Sequence, residues 1–494
     1  MAILSRNLIT SRRPAYKWWA FAALSIGLFT SVADHGSVGV ALPTISDHFG
    51  TNLPTTQWVI IGYALTISAL LMPMGRLSDI VGRKQIYIAG FAVFVCFAAL
   101  SGFATNVWLL ILFRVLMGVG AAMTQGTSMA MIISAFPSSE RGKALGLQMS
   151  MVGTGGVVGP AVGGLIVSAL GWRGVFFTTA VMGCLAIVAA QIVLDGTRAR
   201  RDATRPAFDW LGATLSTSIL VTFLLAMSMG PRLGWGSLTI VAAFVGAVLF
   251  LVGFVWWELK ATSPMLDVRL FGRKLFSIGV AASFISFVGM SSVRFLMPFY
   301  LQAVLGYSPR QTGLIIVPAA LTMVIMGPLG GRLSDRYGWT KFNVGGLLLS
   351  ATGLFLLSRL TVDSSVTLVI LAIVVQSSGT GVFNAPNNSS ILSAVEPERY
   401  GVISAFLNLV RNSGNVTSIA IATAIVTGVM ASMGYLPSLA EVSETGDTGL
   451  LSAFTSGMTM SYLWMSGLVL AGAALSVLKG ARPRVAAAEA EPSR

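Results

Sequence analysis

Charge is what this chain has least of. Only 10% of its 494 residues are Asp, Glu, Lys or Arg, against about 25% in an ordinary soluble domain. That scarcity argues against a water-facing globular protein, and the 55% hydrophobic content points to a polytopic membrane protein. The shortage is uneven: 18 acids stand against 32 Lys and Arg, giving a net charge of +14. Such a surplus can mark a nucleic-acid binder. Here, however, the basic residues lie in short loops between apolar runs rather than in one patch, so no nucleic-acid partner is expected. Cysteine and histidine are rarer still, with two of each. Cys96 and Cys184 sit inside apolar runs without ligand spacing, and His35 and His48 are too isolated for a metal cluster, so neither a disulfide nor a metal centre is expected. No constellation of His, Cys, Ser or acids near an interface points to an enzyme.

Long apolar runs are what the chain has in abundance. Runs of about 20 residues, the length that spans a bilayer, centre near residues 30, 67, 94, 121, 155, 184, 219, 247, 287, 320, 350, 380, 415 and 466, which predicts fourteen transmembrane helices. The basic start, with Arg6, Arg12, Arg13 and Lys17, reads as the flank of a retained first helix, because no small-residue cleavage site follows. Alternate loops carry Arg83 and Lys84, Arg141 and Lys143, the run RARRDATR (198–205), Arg269 to Lys274, Arg336 and Lys341, and Arg399, whereas the others hold little more than Arg173, Arg232, Arg310 and Arg359. This asymmetry places both termini in the cytoplasm.

The chain also repeats itself. GRLSDIVGRK, Gly75 to Lys84, returns as GRLSDRYG, Gly331 to Gly338, 256 residues later, and Glu140-Arg141-Gly142 is echoed at Glu398-Arg399-Tyr400-Gly401. A repeat near half the chain length predicts two homologous six-helix bundles, residues 1–195 and 275–480, with two inserted helices in 196–274 and a disordered tail at 481–494. In the repeated loops, Gly75, Gly82, Gly331 and Gly338 permit tight turns. Asp79 and Asp335, with Arg83, Lys84 and Arg336, form a charge cluster suited to a cytoplasmic latch; a purely topological role is the alternative.

One acid, Asp34, lies deep in an apolar run, in SIGLFTSVADHGSVGVALPTI. An ionisable group at that depth costs on the order of 3 kcal/mol or more and is expected to face a cavity or a partner. A carboxylate so placed can load and release a proton, or form a structural ion pair. Three arginines are also buried in spans: Arg114, the best candidate partner for Asp34, Arg294, which is able to snorkel or to place charge in the second bundle, and Arg411. His35, next to Asp34, either assists proton transfer or packs against a neighbouring helix. Tyr63, Gln125, Asn384 and Asn387 are candidate pathway residues, the last two from the polar twelfth span QSSGTGVFNAPNNSS. The fifth span holds GGVVGPAVGG, in which Gly155, Gly159, Gly163 and Gly164 allow close helix approach and Pro160 favours a bend.

Together these motifs resemble the major facilitator superfamily, and within it the 14-helix drug/proton antiporters that include the quaternary-ammonium exporters. GRLSDIVGRK matches the loop between helices 2 and 3, GGVVGPAVGG the antiporter motif of helix 5, Asp34 with VALPTI the acidic motif of helix 1, and Arg114 with Gly118 the helix-4 motif that the family ties to proton coupling. The chain departs from the pattern at Met117, where Gln is usual; at His35; in lacking a Pro near Gln125 and Gly126; and at Arg294. The tenth span carries no acid of the kind some relatives use for dicationic drugs. The resemblance implies an all-α integral membrane protein of the major facilitator fold in the cytoplasmic membrane. It would exchange protons for lipophilic drugs or toxic organic compounds by alternating access, working as a monomer in the lipid bilayer, without a cofactor and driven by the proton gradient. Because buried arginines outnumber the buried acid, a carrier of an anionic or zwitterionic metabolite is the alternative within transport. A non-transporting membrane sensor is the alternative outside it.

Overall fold

The computed structural model describes residues 16–136, 141–194, 209–261, 266–396, 400–435 and 448–478. Every regular element among them is helical: α1 (Tyr16–Phe49), the one-turn α2 (Leu53–Thr56), α3 (Trp58–Val81), α4 (Arg83–Gly102), α5 (Val107–Ala135), α6 (Arg141–Val193), α7 (Trp210–Leu233), α8 (Leu238–Lys260), α9 (Lys274–Phe299), α10 (Pro309–Tyr337), α11 (Trp339–Leu357), α12 (Val366–Leu392), α13 (Tyr400–Ser432) and α14 (Thr448–Val477). A π-helical turn, Tyr300–Val304, extends α9.

Local sequence accounts for several of the helix starts. The side chains of Asn106, Asp209 and Ser365 accept from backbone amides three residues on, at the starts of α5, α7 and α12. Ser308 and Gln311 form a reciprocal capping box, with Pro309 first in α10. The repeated glycines end α3 and α10: Gly82 takes φ 126° and Gly338 φ 89°, a conformation open to glycine. The serine of each copy makes the same contact, Ser78 Oγ to Gly75 O at 2.6 Å and Ser334 Oγ to Gly331 O at 2.8 Å. The sequence repeat is therefore also a repeat of local structure. The second echo, the basic run 198–205 and the tail lie wholly or partly outside the described residues, as do the side chains of Asp79 and Asp335.

Among the described residues twelve helical spans are long and apolar enough to cross a membrane, which differs from the expected fourteen for two physical reasons. The expected fifth and sixth spans are a single helix, α6. Its 53 residues would reach about 80 Å if straight, far more than the ~30 Å hydrocarbon core, and its helical path breaks at Gly171 (φ 71°, ψ 177°). The expected first span is α1, which is not among the twelve; Asp34, His35 and a run of serines and threonines dilute its apolar character.

Packing follows the repeat. In the first half α1 lies on α6, and α5 packs against both α3 and α4; in the second, α12 packs on α10 and α11, while α9, α13 and α14 pack on one another. α7 and α8 pair together, and α7 also lies against α3 and α13, tied by Thr217 Oγ1 to Ala69 O at 2.9 Å. α8 presents Leu238, Val248, Leu249 and Val252 outward, the surface lipid would cover.

Candidate functional site

The halves meet closely along α6 and α10, with α1 wedged beside them. Small residues set this junction. A Cβ on Gly159 would lie 2.7 Å from Ala33 O, one on Gly163 2.5 Å from Ser37 Cα, and one on Gly164 2.4 Å from Pro309 O. Pro160 is gripped between Gly36 of α1 and Gly313 of α10, whose added Cβ atoms would come 2.6 Å from its Cδ and 2.5 Å from its carbonyl oxygen. Ser37 Oγ donates to Gly159 O at 2.7 Å. Gly155 meets Val32 and Phe29 more loosely. Two hydrogen bonds also cross between the halves: Gln302 Nε2 to Val40 O at 2.9 Å and Arg310 N to Ser168 Oγ at 3.1 Å.

Within the first half, four elements converge on Asp34, which is 2% exposed. Arg114 Nη1 of α5 donates to Asp34 Oδ2 at 2.8 Å, and Thr179 Oγ1, in the second part of α6, donates to Oδ1 at 3.2 Å. Arg114 is fully buried. Its Nε donates to Val59 O of α3 at 3.1 Å, and its guanidinium stacks over the Tyr63 ring at 4.2 Å, a cation–π contact. Phe176 closes the far side at 5.9 Å. Met117, one turn along α5, puts its sulfur 3.2 Å from Arg114 Nη1. Sulfur is a weak acceptor where an amide oxygen would be a strong one, and Arg114 Nη2 is left without a hydrogen bond.

The remaining predicted residues divide. His35 is half-buried; the charges of Arg294, Arg114 and Arg411 act on it. Arg294 is exposed in the middle of its span and Arg411 is half-buried. Gln125 lines a narrow crevice with Ser31, Tyr87, Thr124 and Ser128 inside the first half. Asn387 is buried and donates to Gly279 O at 3.0 Å, which ties α12 to α9. Asn384 is half-buried. Arg83 reaches Ala130 O at 3.3 Å, Lys84 bonds Gln191 O at 3.2 Å and Leu194 O, and Arg336 lies over the Tyr337 ring at 5.5 Å. Gly75 and Gly331 lie inside α3 and α10 rather than in turns; Gly75 lies close to Gly126 and Gly331 to Ala385. Sequence reasoning missed Thr179 and Val59, because a threonine in an apolar run and a backbone carbonyl leave no motif.

A doubled helical chain closed along a glycine-lined junction, with an ion pair buried in one half, defines a membrane transporter of the major facilitator type. The sequence profile described as "Major Facilitator Superfamily" matches residues 24–419, and the chain belongs to that family. Among curated relatives, it is 31% identical over 396 residues to the riboflavin transporter RibZ of Clostridioides difficile (strain 630), covering 80% of this chain and 85% of that one. It is 30% identical over 403 residues to the multidrug resistance protein Stp of Mycobacterium tuberculosis (strain CDC 1551 / Oshkosh), covering 81% and 74%. It is 28% identical over 439 residues to the multidrug efflux pump LfrA of Mycolicibacterium smegmatis, covering 88% and 86%. Among solved structures, a bacterial homologue of the human lysosomal transporter Spinster superimposes with a TM-score of 0.68 at 19% identity, over 94% of this chain and 97% of that one.

Proposed function

We propose that this protein is a proton-coupled exporter that moves small organic compounds across the cytoplasmic membrane by alternating access, with fourteen crossings and both termini inside. The observation that carries this reading is the buried pair Asp34–Arg114. Among the described residues, every other acid lies near a helix end or in a connection, as Glu258 does two residues from the end of α8. Among them Asp34 is thus the one acid in the middle of a span whose charge a proton can cancel.

The consequence of protonation follows from the geometry. With Asp34 ionised, the pair is neutral and locks α1 to α5 and α6. With Asp34 protonated, Arg114 keeps its charge and loses its counter-ion while buried among Tyr63, Phe176 and Met117. Removing one partner of a buried pair costs about 3–5 kcal/mol. That is comparable to the ~5.5 kcal/mol that takes a two-state equilibrium from 1:99 to 99:1. Protonation therefore carries enough energy to favour a different packing of α1, and substrate binding would favour the opposite one. The junction of α6 with α1 and α10, built from glycines, lets helices slide with little side-chain interlock.

A resistance panel of lipophilic toxins in efflux-deficient bacteria, comparing wild type with Asp34→Asn at matched expression, tests this. Resistance to several compounds that disappears in the variant is the expected outcome. Resistance that survives the substitution would remove Asp34 from the mechanism.

A further inference from the structure

Two charges in the middle of the molecule play no part in the Asp34 pair. Arg294 lies ten residues from the nearer end of the span Lys274–Val304, about 15 Å along the helix. Its side chain is nevertheless exposed, while those of Arg411 and His35 are half-buried. The charges of Arg294, Arg114 and Arg411 act on His35, and Arg294 acts on Arg411. α1 packs against α9, and α3 against α13. The three side chains therefore lie near one another where the halves meet.

The surroundings hold the arginines in place without neutralising them. Ser291, one turn before Arg294, donates to Asn415, one turn after Arg411, and pins α9 to α13. Asn412, beside Arg411, is buried and its Nδ2 has no partner. Among the described residues neither arginine has an ion pair or a hydrogen bond. Asp34, the nearby acid, commits one oxygen to Arg114 and the other to Thr179. Among the described residues, the meeting of the halves thus holds two unmatched positive charges and no free negative one.

Cations away from bulk water without a counter-ion are unfavourable, and a positively charged solute would add to the imbalance. An anion removes it, and the flat donor fork of a guanidinium suits a carboxylate, sulfonate or phosphate. We infer that the substrate is an organic anion whose acidic group is held between Arg294 and Arg411. This rests on the transporter reading but not on coupling through Asp34.

The test uses full-length protein in phosphatidylcholine nanodiscs and three probes with one ring system: 2-naphthoate, naphthalene-2-sulfonate and naphthyltrimethylammonium. Equilibrium dialysis on the wild type should show at least one anion bound tenfold or more tighter than the cation. Arg294→Gln and Arg411→Gln should each weaken anion binding about tenfold, and Arg411→Lys should restore part of it. Equal or tighter binding of the cation, no binding of either anion, or anion affinity unchanged in the Gln variants would overturn the assignment. The wild-type comparison stands even where a variant fails to fold. Phosphatidylglycerol added to the disc separates a lipid headgroup from a solute, and its displacing the anionic probe would also overturn it. Dialysis reads binding with no proton gradient present, so failure of proton coupling and failure of the anion site are read separately.

Discussion

Arg114 carries much of the first half's internal polarity. It holds Asp34, caps the Val59 carbonyl and lies on Tyr63. Arg114→Leu leaves a bare carboxylate and is expected to destabilise the protein by about 3–5 kcal/mol, seen as a lower thermal midpoint in detergent. Adding Asp34→Asn to Arg114→Leu should recover much of that loss, because the two residues form one interacting unit, while transport stays abolished. Losses that simply add would mean the pair is not coupled in the folded state. Both members of the pair were legible in the sequence, since each is an ionisable group in an otherwise apolar run. Their remaining partners were not, because Thr179 is 145 residues from Asp34 and only the folding of α6 back onto α1 brings it close. For Arg294 the sequence leaves open whether it snorkels or places charge in the second bundle, because packing decides which face of α9 meets the interior.

At the scale of the helix, α6 supplies a graded set of glycines. A Cβ at Gly163 or Gly164 would meet backbone atoms at 2.5 and 2.4 Å, whereas at Gly156 nothing lies within 4 Å. Gly163→Ala and Gly164→Ala are therefore expected to push α6 away from α1 and α10 and to reduce transport at least tenfold. Gly156→Ala should be silent, with expression measured alongside. Equal activity in all three would show that close approach at this junction is dispensable. The paired turns make a second prediction: alanine at Gly82 or Gly338 must adopt a backbone that costs on the order of 1–3 kcal/mol, so each substitution should lower the yield of folded protein by a similar factor. The repeat and the small-residue spacing were plain in the sequence. The joining of two expected spans into α6, broken at Gly171, was not, since only the φ of one glycine marks the break.

For the whole molecule, the two halves touch through glycine and proline along α6 and α10, through an apolar core that joins α1 and α3 to α9 and α13, and through a few hydrogen bonds. That arrangement suits rigid bodies that rock about a central site: one half carries the titratable pair and the other carries the arginines proposed to hold the substrate. The inserted pair α7 and α8 packs beside this machinery without supplying a charge to it. The most direct test of proton coupling is substrate-induced proton movement in inverted membrane vesicles holding a preformed pH gradient, assayed with compounds to which the protein confers resistance. The proposed mechanism predicts that these compounds dissipate the gradient in wild-type vesicles and leave it intact with Asp34→Asn. Dissipation that persists in the variant, or its absence in the wild type despite transport, would contradict it.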